Sequence, residues 1–396
     1  MSGTVRDIED LLRAAVKSRR VPGVVAAVAD RSGVLDEWAF GLAGSSPARE
    51  MHVDSIFRIA SMTKVVTSVA VLMLSEHGEL DLDAPLARYL PGYRQPDVLT
   101  SFDTRTNEYQ TRPAKSAITI RQLLTHTSGY GYWFLDESLR KLTKEVPELF
   151  NPPFLIAEPG QGFAYGTSTD VLGQVIPELT GQSLDEFFAQ HIFEPLGMSD
   201  TSYRWPEALP RMTSVHARTT DGYVELPLEQ RNVEARGGGG LFSTARDFLR
   251  LLEVFMHGGR AQGRPILSAA SVAAMTRNQI GELFAPPQTT ALPTRSNDFI
   301  FMDGSQKFGL GFMLETREQA TGRRAGTLSW GGILNTYFWL DPSAALAGVL
   351  FTQISPFADP DCIDLYRRFE RAVYDRIRPP RASTPVVAAR SGRFGR

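Results

Sequence analysis

Apolar residues near both ends of the chain recur with spacings that predict strands and two helices. An amphipathic helix over residues 4–19 is predicted by the spacing of Val5, Ile8, Leu11, Leu12 and Val16. Two apolar runs then follow across a glycine-containing turn, GVVAAVAD and VLDEWAF, and predict a β-hairpin. Toward the other end, aromatic and branched residues predict four strands: FGLGFMLET, AGTLSW, NTYFWLD and LAGVLFTQ. A last helix is predicted over about 361–377, where apolar residues again share one face.

The middle of the chain has mostly helical spacing instead. Helices are predicted near residues 61–77, 118–126, 169–180, 183–191, 244–257 and 268–277. Strand signals at both ends with helices between them predict a discontinuous α+β fold. In this fold, residues from about 4–60 and 307–377 build an antiparallel sheet with the terminal helices on one face, and a mostly helical region spans about 61–306.

Three polar stretches lack this periodicity. Residues 92–117 and 281–306 contain proline and are predicted to be long surface loops, which are usually functional rims or mobile segments. The last residues, 378–396, are basic and aperiodic, which predicts a disordered tail. We therefore expect one folded unit over residues 4–377.

The composition excludes several classes of function. The chain has 42 Lys and Arg residues against 44 Asp and Glu residues, so no basic excess attracts nucleic acid or an anionic membrane. Its beginning, MSGTVRDIED, is unlike a signal peptide, and no stretch has the roughly 18 apolar residues of a membrane span. Cys362 is the single cysteine, so an internal disulfide is impossible. We expect a soluble cytoplasmic protein without nucleic-acid or membrane partners.

Common motifs of cofactor and metal enzymes are also missing. The chain has no GxxxxGK[ST] phosphate loop, and its six histidines form no HxxxH or HExxH pair. The GxSxG elbow of ordinary lipases is absent as well. We therefore predict that the protein uses no cofactor and no metal ion.

A serine and a lysine one helical turn apart remain as candidate chemistry, because a neutral amine can accept the proton of a serine nucleophile. The pattern occurs twice, as SMTK at 61–64 and SLRK at 138–141. The second copy lies in a charged stretch, where Lys141 would stay hydrated and protonated. The first is followed by the apolar run VVTSVAVLML, which predicts a buried helix with Ser61 in its first turn and Lys64 partly desolvated. The alternative is that Ser61 is only a helix cap and Lys64 a surface residue.

Five segments in this order make the chain resemble a known superfamily: FRIASMTK, QLLTHTSG, FAYGTS, LTGQSLDEFFAQHIFEPLGM and GGGGLFST. They resemble the serine β-lactamase and penicillin-binding-protein superfamily, and within it the family VIII carboxylesterases, relatives of class C β-lactamases. The resemblance covers about residues 5–377. It implies a β-lactamase-like fold, with a five-stranded antiparallel sheet flanked by helices and a helical domain.

The resemblance also implies roles for particular residues. Ser61 matches the acylated nucleophile, Lys64 the adjacent base, and Tyr165 the tyrosine that shares protons with the lysine. In this family two backbone N–H groups form the oxyanion hole, and the resemblance assigns them here to Ser61 and Ile333. Tyr165 as a mere core aromatic is the alternative to its catalytic role.

Two positions depart from the class C pattern. Thr167 stands where the Tyr-x-Asn motif has asparagine, and Trp330-Gly331-Gly332 stands where the strand motif is Lys-[Thr/Ser]-Gly. Family VIII esterases carry Trp-Gly-Gly at this point, which favours an esterase, although Trp330 could simply pack in the strand. For His126 we expect a structural hydrogen bond at a helix end. For the glycine run at 237–240 we expect a turn before a helix capped by Thr244, and the alternative is that the run also borders the active site.

The function implied by these residues is hydrolysis of small-molecule carboxylic esters through an acyl-enzyme on Ser61. An acyltransferase, or a weak class C-like β-lactamase or peptidase, shares the acylation step and stays open as an alternative. A non-catalytic binding or scaffold protein on the same fold is the second alternative.

Overall fold

A computed structural model of the protein describes residues 3–142, 154–204, 209–227 and 234–377. The predicted disordered tail, 378–396, lies outside these residues. The strands of the described residues are β1 Gly23–Asp30, β2 Gly33–Ser45, β3 Ala48–Glu50, β4 Phe57–Arg58, β5 Asp97–Phe102, β6 Tyr109–Pro113, β7 His216–Thr219, β8 Gly222–Glu225, β9 Phe242–Ser243, β10 Arg260–Ala261, β11 Arg264–Pro265, β12 Lys307–Phe308, β13 Met313–Leu314, β14 Leu328–Gly332, β15 Thr336–Asp341, β16 Leu346–Phe351 and β17 Ile354–Ser355.

The α-helices lie mostly between the two groups of sheet strands, as the spacing of apolar residues predicts. They are α1 Gly3–Lys17, α2 Thr63–Glu76, α3 Ile120–Leu124, α4 Glu137–Leu142, α5 Ser168–Thr180, α6 Leu184–Phe188, α7 Glu194–Leu196, α8 Ala245–Met256, α9 Ala269–Met275 and α10 Pro360–Ile377. Single turns of 3₁₀-helix occur at Ala60–Met62, Leu86–Arg88, Pro91–Tyr93 and Leu209–Arg211, and a π-helical turn occurs at Ala189–Phe193.

The main sheet is antiparallel and has the strand order β12-β13-β14-β15-β16-β1-β2-β3. It contains eight strands rather than the five that the family resemblance implies. Five of them, β14, β15, β16, β1 and β2, are long, and the other three are edge segments of two or three residues. The run FGLGFMLET is split between β12 and β13, because Gly311 has a φ of +98° and turns the chain.

Helices cover both faces of this sheet, and the alternation of side chains along β15 shows how. Trp339 points to one face, where its ring contacts Phe369 of α10 at 5.6 Å between centroids. The neighbouring Phe338 points to the opposite face and contacts Phe248 of α8 at 5.0 Å. Because successive side chains of a strand alternate between faces, a strand covered on both faces is apolar throughout. All six residues of β15 are accordingly buried.

The prediction of a loop over 92–117 is wrong in part, because β5 and β6 form a hairpin there. Its strands show no clear apolar alternation, since most of their side chains are exposed and Val98 is the buried one. Backbone hydrogen bonds between Leu155 and the strand residues Asp97 and Leu99 attach the hairpin to the rest of the fold.

The segment 281–306 contains neither helix nor strand, as predicted for a loop. It is nevertheless anchored by buried side chains, among them Phe299 and Met302, each 2% exposed. Its backbone also bonds to distant parts of the fold: Ala291 N–H donates to the Phe134 carbonyl, and Asn297 N–H donates to the Phe357 carbonyl. The division into a sheet part and a helical part stays a prediction.

Candidate active site

Ser61 lies in a tight turn between strand β4 and helix α2. The backbone of the preceding residue, Ala60, has a φ of +48°, in the left-handed region that residues with a Cβ rarely adopt. Ser61 belongs to the 3₁₀ turn Ala60–Met62, and α2 begins only at Thr63. The nucleophile candidate therefore precedes the α-helix in which the sequence places it. Because Ser61 is partly exposed while Met62 is buried, the turn directs the serine toward solvent.

Lys64 is buried in the first turn of α2, with 2% of its surface exposed. Its Nζ lies 3.3 Å from Ser61 Oγ, 3.0 Å from the Tyr132 hydroxyl and 2.7 Å from the Gly238 carbonyl oxygen. The carbonyl can only accept a hydrogen bond, whereas both hydroxyls can donate or accept. A neutral Lys64 amine can therefore donate to Gly238 while its lone pair receives the proton of Ser61.

The glycine run at 237–240 contacts Lys64 through the Gly238 carbonyl, and the sequence did not predict this contact. The Gly237 carbonyl accepts a 2.7 Å hydrogen bond from Thr67 of α2, and Gly238 N–H donates a 3.0 Å bond to Asp170 Oδ1 of α5. A Cβ at Gly238 would lie 2.3 Å from Asp170 Oδ2, so only glycine fits between the two helices. The run thus connects Asp170 to Lys64 through a single residue, Gly238.

Asp170 is a residue of the candidate site that the sequence did not reveal. It is buried on α5, and it lines the same cavity as Ser61. Loss of hydration raises the pKa of Asp170, and the positive charges of Lys64 and Arg236 oppose this shift. No local motif identifies this aspartate, because its role depends on the packing of α5 against the glycine run.

Tyr165 and Trp330 form a pair beside Lys64. The Trp330 indole Nε1 donates a 3.2 Å hydrogen bond to the Tyr165 hydroxyl, and the ring centroids are 4.7 Å apart. Lys64 Nζ lies 5.2 Å from the centre of the Tyr165 ring. Trp330 is thus more than a strand-packing residue, because it donates to the oxygen of the tyrosine that the resemblance selects.

Tyr132 is a second tyrosine at Lys64, and the sequence analysis did not name it. Its hydroxyl touches Nζ directly, and its ring lies 5.2 Å from the ring of Tyr165. Burial, with the negative charge of Asp170 and the neighbouring Tyr165, raises the pKa of Tyr132 well above its usual value. Tyr132 therefore stays protonated and acts as a hydrogen-bonding hydroxyl. Its place in GYGYW, just after the THTSG turn, was the one available signal.

The end of strand β14 approaches the nucleophile through two glycines. A Cβ at Gly332 would lie 2.3 Å from the Ile59 carbonyl oxygen, so glycine is required for this approach of the backbone. Gly331 pairs with Tyr337, and a Cβ there would lie 2.8 Å from that ring. The next residue, Ile333, lines the same cavity as Ser61. The structure therefore brings together both residues whose N–H groups the resemblance assigns to the oxyanion hole.

The His126 ring packs against the ring of Tyr165. Its backbone, with a φ of +55°, forms the turn after α3, and its carbonyl accepts a hydrogen bond from Ala164 N–H at 2.8 Å. The His126 ring contacts the Tyr165 ring at 4.9 Å, and its Nδ1 has no hydrogen-bond partner among the described residues. Burial, together with the charge of Lys64, lowers the pKa of His126 well below its usual value. The hydrogen bond at the end of α3 is therefore made by the His126 backbone, and the neutral imidazole ring packs against Tyr165.

The second SxxK copy does not form a comparable pair. Ser138 donates to the carboxylate of Asp136. Lys141 donates to the Thr104 carbonyl at 2.5 Å and pairs with Glu137 at 3.3 Å. Both side chains are thus engaged on α4, in agreement with the choice of Ser61 and Lys64.

Two adjoining cavities lie at the candidate site, and Ser61 lines the first of them. The first has a volume of about 140 Å³ and is lined by Ser61, Thr167, Asp170, aromatic residues of the 132–134 segment and the glycine run. The second, of about 540 Å³, shares with the first the residues Ala60, Arg236, Gly240, Arg295 and Ile333. Thr167 is 3% exposed, and its hydroxyl has no hydrogen-bond partner within the described part of the chain.

Metal clusters and membrane spans are absent from the described residues. No group of three or more His, Cys, Asp and Glu side chains is arranged there to hold a metal ion. None of the helices in this part of the chain combines the length and the apolarity that a bilayer crossing requires. Cys362 is buried, and burial raises the pKa of its thiol well above the usual value.

Known proteins with similar sequences and structures include transferases and esterases. ML-236A carboxylate methylbutanoyltransferase from Penicillium citrinum is 29% identical to this chain, over 95% of the chain and 96% of that protein. The esterase EstB from Burkholderia gladioli is 30% identical, over 85% of the chain and 87% of that protein. The structure of simvastatin synthase (LovD) from Aspergillus terreus is similar with a TM-score of 0.81 and 28% identity, over 95% of this chain and 99% of that one.

The similarities to these relatives cover 85% to 95% of the chain. A family model described as Beta-lactamase matches residues 8–373. The superfamily that the sequence motifs indicate is therefore confirmed, and the chain belongs to the beta-lactamase family.

Proposed function

We propose that this protein hydrolyses carboxylic esters through an acyl-enzyme formed on Ser61. The observation that carries the proposal is that the buried Lys64 amine lies 3.3 Å from the Oγ of Ser61, and that Ser61 lines a cavity. A serine needs a proton acceptor within hydrogen-bond reach to become a nucleophile. The similarity to an esterase and to acyltransferases over most of the chain supports the same chemistry.

In acylation, Ser61 Oγ attacks the ester carbonyl and its proton passes to the Lys64 amine. Lys64 keeps its orientation because the Gly238 carbonyl and the Tyr132 hydroxyl hold Nζ. The N–H groups of Ser61 and Ile333 stabilise the oxyanion. The alkoxide leaving group takes a proton from Lys64 through Tyr165, and the acyl group remains on Ser61.

Trp330 and Tyr165 act together in this step. An N–H donor aimed at the Tyr165 oxygen stabilises negative charge on that oxygen and fixes the ring in one orientation. The indole therefore holds Tyr165 ready to relay a proton between Lys64 and the leaving group. Trp330 is a positioning residue in this proposal.

Acyl transfer to an alcohol other than water is the second candidate function. It is favoured by the names of two relatives, a methylbutanoyltransferase and simvastatin synthase, each matched over 95% of this chain. Both reactions share the Ser61 acyl-enzyme and differ only in the nucleophile that removes the acyl group. Product analysis with p-nitrophenyl butyrate in aqueous methanol distinguishes hydrolysis from transfer. A transferase gives a larger fraction of methyl butyrate in the product than the fraction of methanol in the solvent.

The motif at Trp330 predicts a preference for esters over β-lactams. A β-lactam carries a carboxylate beside its scissile amide, and the Lys-[Thr/Ser]-Gly motif presents a cation and a hydroxyl to it. A hydrogen bond to a charged group contributes about 1.5–3 kcal/mol, which is roughly 10- to 100-fold in rate. Deacylation adds to this difference, because Thr167 stands in the third position of the tyrosine motif instead of asparagine. With both steps, we expect kcat/KM for p-nitrophenyl butyrate to exceed that for nitrocefin by about 10²-fold or more. Equal or greater efficiency on nitrocefin, measured with one enzyme preparation, would favour the β-lactamase alternative.

Asp170 predicts a loss of activity when its side chain is removed. Its carboxylate accepts a hydrogen bond from Gly238 N–H, and the carbonyl of the same glycine accepts one from Lys64. Asp170→Ala leaves this N–H without its acceptor, so the glycine that orients Lys64 is held less firmly. We expect kcat/KM for p-nitrophenyl butyrate to fall by about tenfold, the effect of one lost buried hydrogen bond.

Two matched variants control this prediction. Asp170→Asn keeps an oxygen for Gly238 N–H and should lose less activity than Asp170→Ala. Glu178→Gln removes an exposed acid from the same helix and should keep the wild-type rate. Wild-type activity in a folded Asp170→Ala protein would show that Asp170 does not support the position of Lys64.

A further inference from the structure

The two N–H groups that the resemblance assigns to the oxyanion hole lie on turns that are distant in sequence. Ser61 follows the short strand β4, whereas Ile333 lies in the turn that joins β14 to β15. An oxyanion hole is effective when its donors are already in place before the charge develops, because no energy is then spent on reordering them. Any contact that fixes these two turns relative to each other therefore affects the reaction.

Asn335 closes the turn that carries Ile333. Its backbone has a φ of +60°, in the left-handed region that asparagine tolerates, and its N–H donates to the Gly332 carbonyl at 2.9 Å. The residue is 0% exposed, and its amide Nδ2 donates to the carbonyls of Ile354 and Pro356 at 2.8 Å and 2.9 Å. The Ile333 turn is thereby attached to the part of the chain that follows β16.

The acceptor atoms of Asn335 are also used. Its Oδ1 accepts hydrogen bonds from the Tyr337 hydroxyl at 2.6 Å and from Asp359 N–H at 3.1 Å. Its backbone carbonyl accepts from the N–H of Thr352 at 3.3 Å and from the hydroxyl of the same residue at 2.9 Å. The side-chain amide thus has two donated and two accepted bonds, which is its full capacity. Such an amide is held rigidly, because another orientation would leave buried polar atoms without partners.

Gln353 holds the other turn in a similar way. Its Oε1 accepts a hydrogen bond from Arg58 N–H at 3.2 Å, and its Nε2 donates to the Arg58 carbonyl at 3.1 Å. Gln353 is 3% exposed, and its Nε2 also donates to the Thr352 carbonyl at 2.9 Å. Because Arg58 belongs to β4, one side-chain amide fixes the backbone that leads into the Ser61 turn.

Both amides meet at one short segment, residues 352–354, which leads from β16 into β17. Gln353 lies in this segment, and Asn335 bonds to the residues on either side of it. The two turns also touch directly, because the Thr336 hydroxyl donates to the Ile59 carbonyl at 3.4 Å. An apolar side chain could fill the same space without the cost of burying an amide, so the two amides indicate a need for fixed geometry.

We propose that Asn335 and Gln353 are positioning residues, which hold the two N–H donors of the oxyanion hole at a fixed separation. Neither residue lines the two cavities at the candidate site, so each acts through the backbone that it fixes. Loss of either amide allows one donor to move. This weakens the transition state more than the ground state, because the charge on the carbonyl oxygen develops only during the attack. The inference rests on the proposed function, since it concerns the oxyanion of the Ser61 reaction.

The variants Gln353→Met and Asn335→Gly test the proposal by removing one amide each. Methionine has about the length of glutamine, and glycine adopts the left-handed backbone without strain. With p-nitrophenyl butyrate, each variant should lower kcat by about 10- to 100-fold, while KM stays within about threefold of the wild type. The inhibition constant of butylboronic acid should rise along with the loss of kcat, because its tetrahedral adduct on Ser61 places an oxygen in the oxyanion hole. A purely structural role would lower Tm and leave both quantities unchanged in the folded protein.

Gln279→Met and Asn107→Gly are the matched controls. The Gln279 amide also joins two segments, and Asn107 also has a left-handed backbone, with a φ of +61°. Neither of these residues lines the two cavities. Both controls should therefore keep the wild-type kcat and the wild-type inhibition constant.

Circular dichroism gives the folded fraction of each variant, so that kcat refers to folded protein, and Gln353→Met decides alone if Asn335→Gly does not fold. A wild-type kcat in the folded variants, or a loss of kcat that leaves the boronic acid constant unchanged, would overturn the positioning role. If the wild-type protein cleaves no ester, the proposed function fails instead, so the two failures are distinguishable.

Discussion

Ser61→Ala is expected to lower kcat/KM for p-nitrophenyl butyrate by about 10⁴-fold or more, which is within the range seen when a hydrolase loses its nucleophile. Ser61 is the serine whose Oγ lies in hydrogen-bond reach of the buried Lys64 amine and at the wall of the cavity. An alanine leaves Lys64 with its bonds to Tyr132 and Gly238 but removes the atom that becomes acylated. Initial rates from p-nitrophenolate release measure the effect.

Ser138→Ala is the matched control, because it removes the serine of the other SxxK copy. Its rate should stay within a factor of about two of the wild type, since a substitution away from the reacting atoms removes no transition-state interaction. A Ser61→Ala protein that is folded and retains more than a few per cent of the activity would exclude Ser61 as the nucleophile.

Tyr165→Phe is expected to lower kcat/KM by about 10³-fold, in the middle of the range for a group that transfers protons. Trp330 donates to the Tyr165 oxygen and thereby stabilises negative charge there, which suits a proton relay. Tyr132→Phe should cost much less, about five- to tenfold, because a raised pKa keeps Tyr132 protonated and limits it to a hydrogen bond with Lys64.

The comparison between these two variants is informative because the two rings lie 5.2 Å apart and Lys64 Nζ lies at similar distances from both ring centres, 5.3 Å for Tyr132 and 5.2 Å for Tyr165. Circular dichroism and thermal unfolding check that both proteins keep the native fold. The opposite order, with a large loss in Tyr132→Phe and a small one in Tyr165→Phe, would transfer the proton relay to Tyr132.

The parts of the site that the sequence predicts are those encoded within short segments. Ser61 and Lys64 are one helical turn apart, and the apolar run after them reveals that the lysine will be buried. Gly331 and Gly332 are predictable in the same way, because two adjacent glycines at a strand end indicate that the backbone there approaches another part of the chain closely. The long strands and terminal helices were likewise predictable, because their apolar residues follow the period of the element.

The residues that the sequence did not reveal depend on contacts between distant segments. Asp170 acts on Lys64 only because the glycine run passes between α5 and α2, and Arg295 reaches the cavity from a segment without regular structure. The hairpin of β5 and β6 was missed for a different reason, since an exposed hairpin needs no apolar alternation. Neither kind of feature leaves a periodic signal in the chain.

The identity of the acylated residue is the central claim, and one measurement tests it directly. The wild-type protein is treated with a fluorophosphonate probe, digested, and the labelled peptide is located by mass spectrometry. We predict a single label on Ser61, which is absent after Ser61→Ala and retained after Ser138→Ala. Label on Ser138 or on another residue, with Ser61 unmodified, would contradict the account.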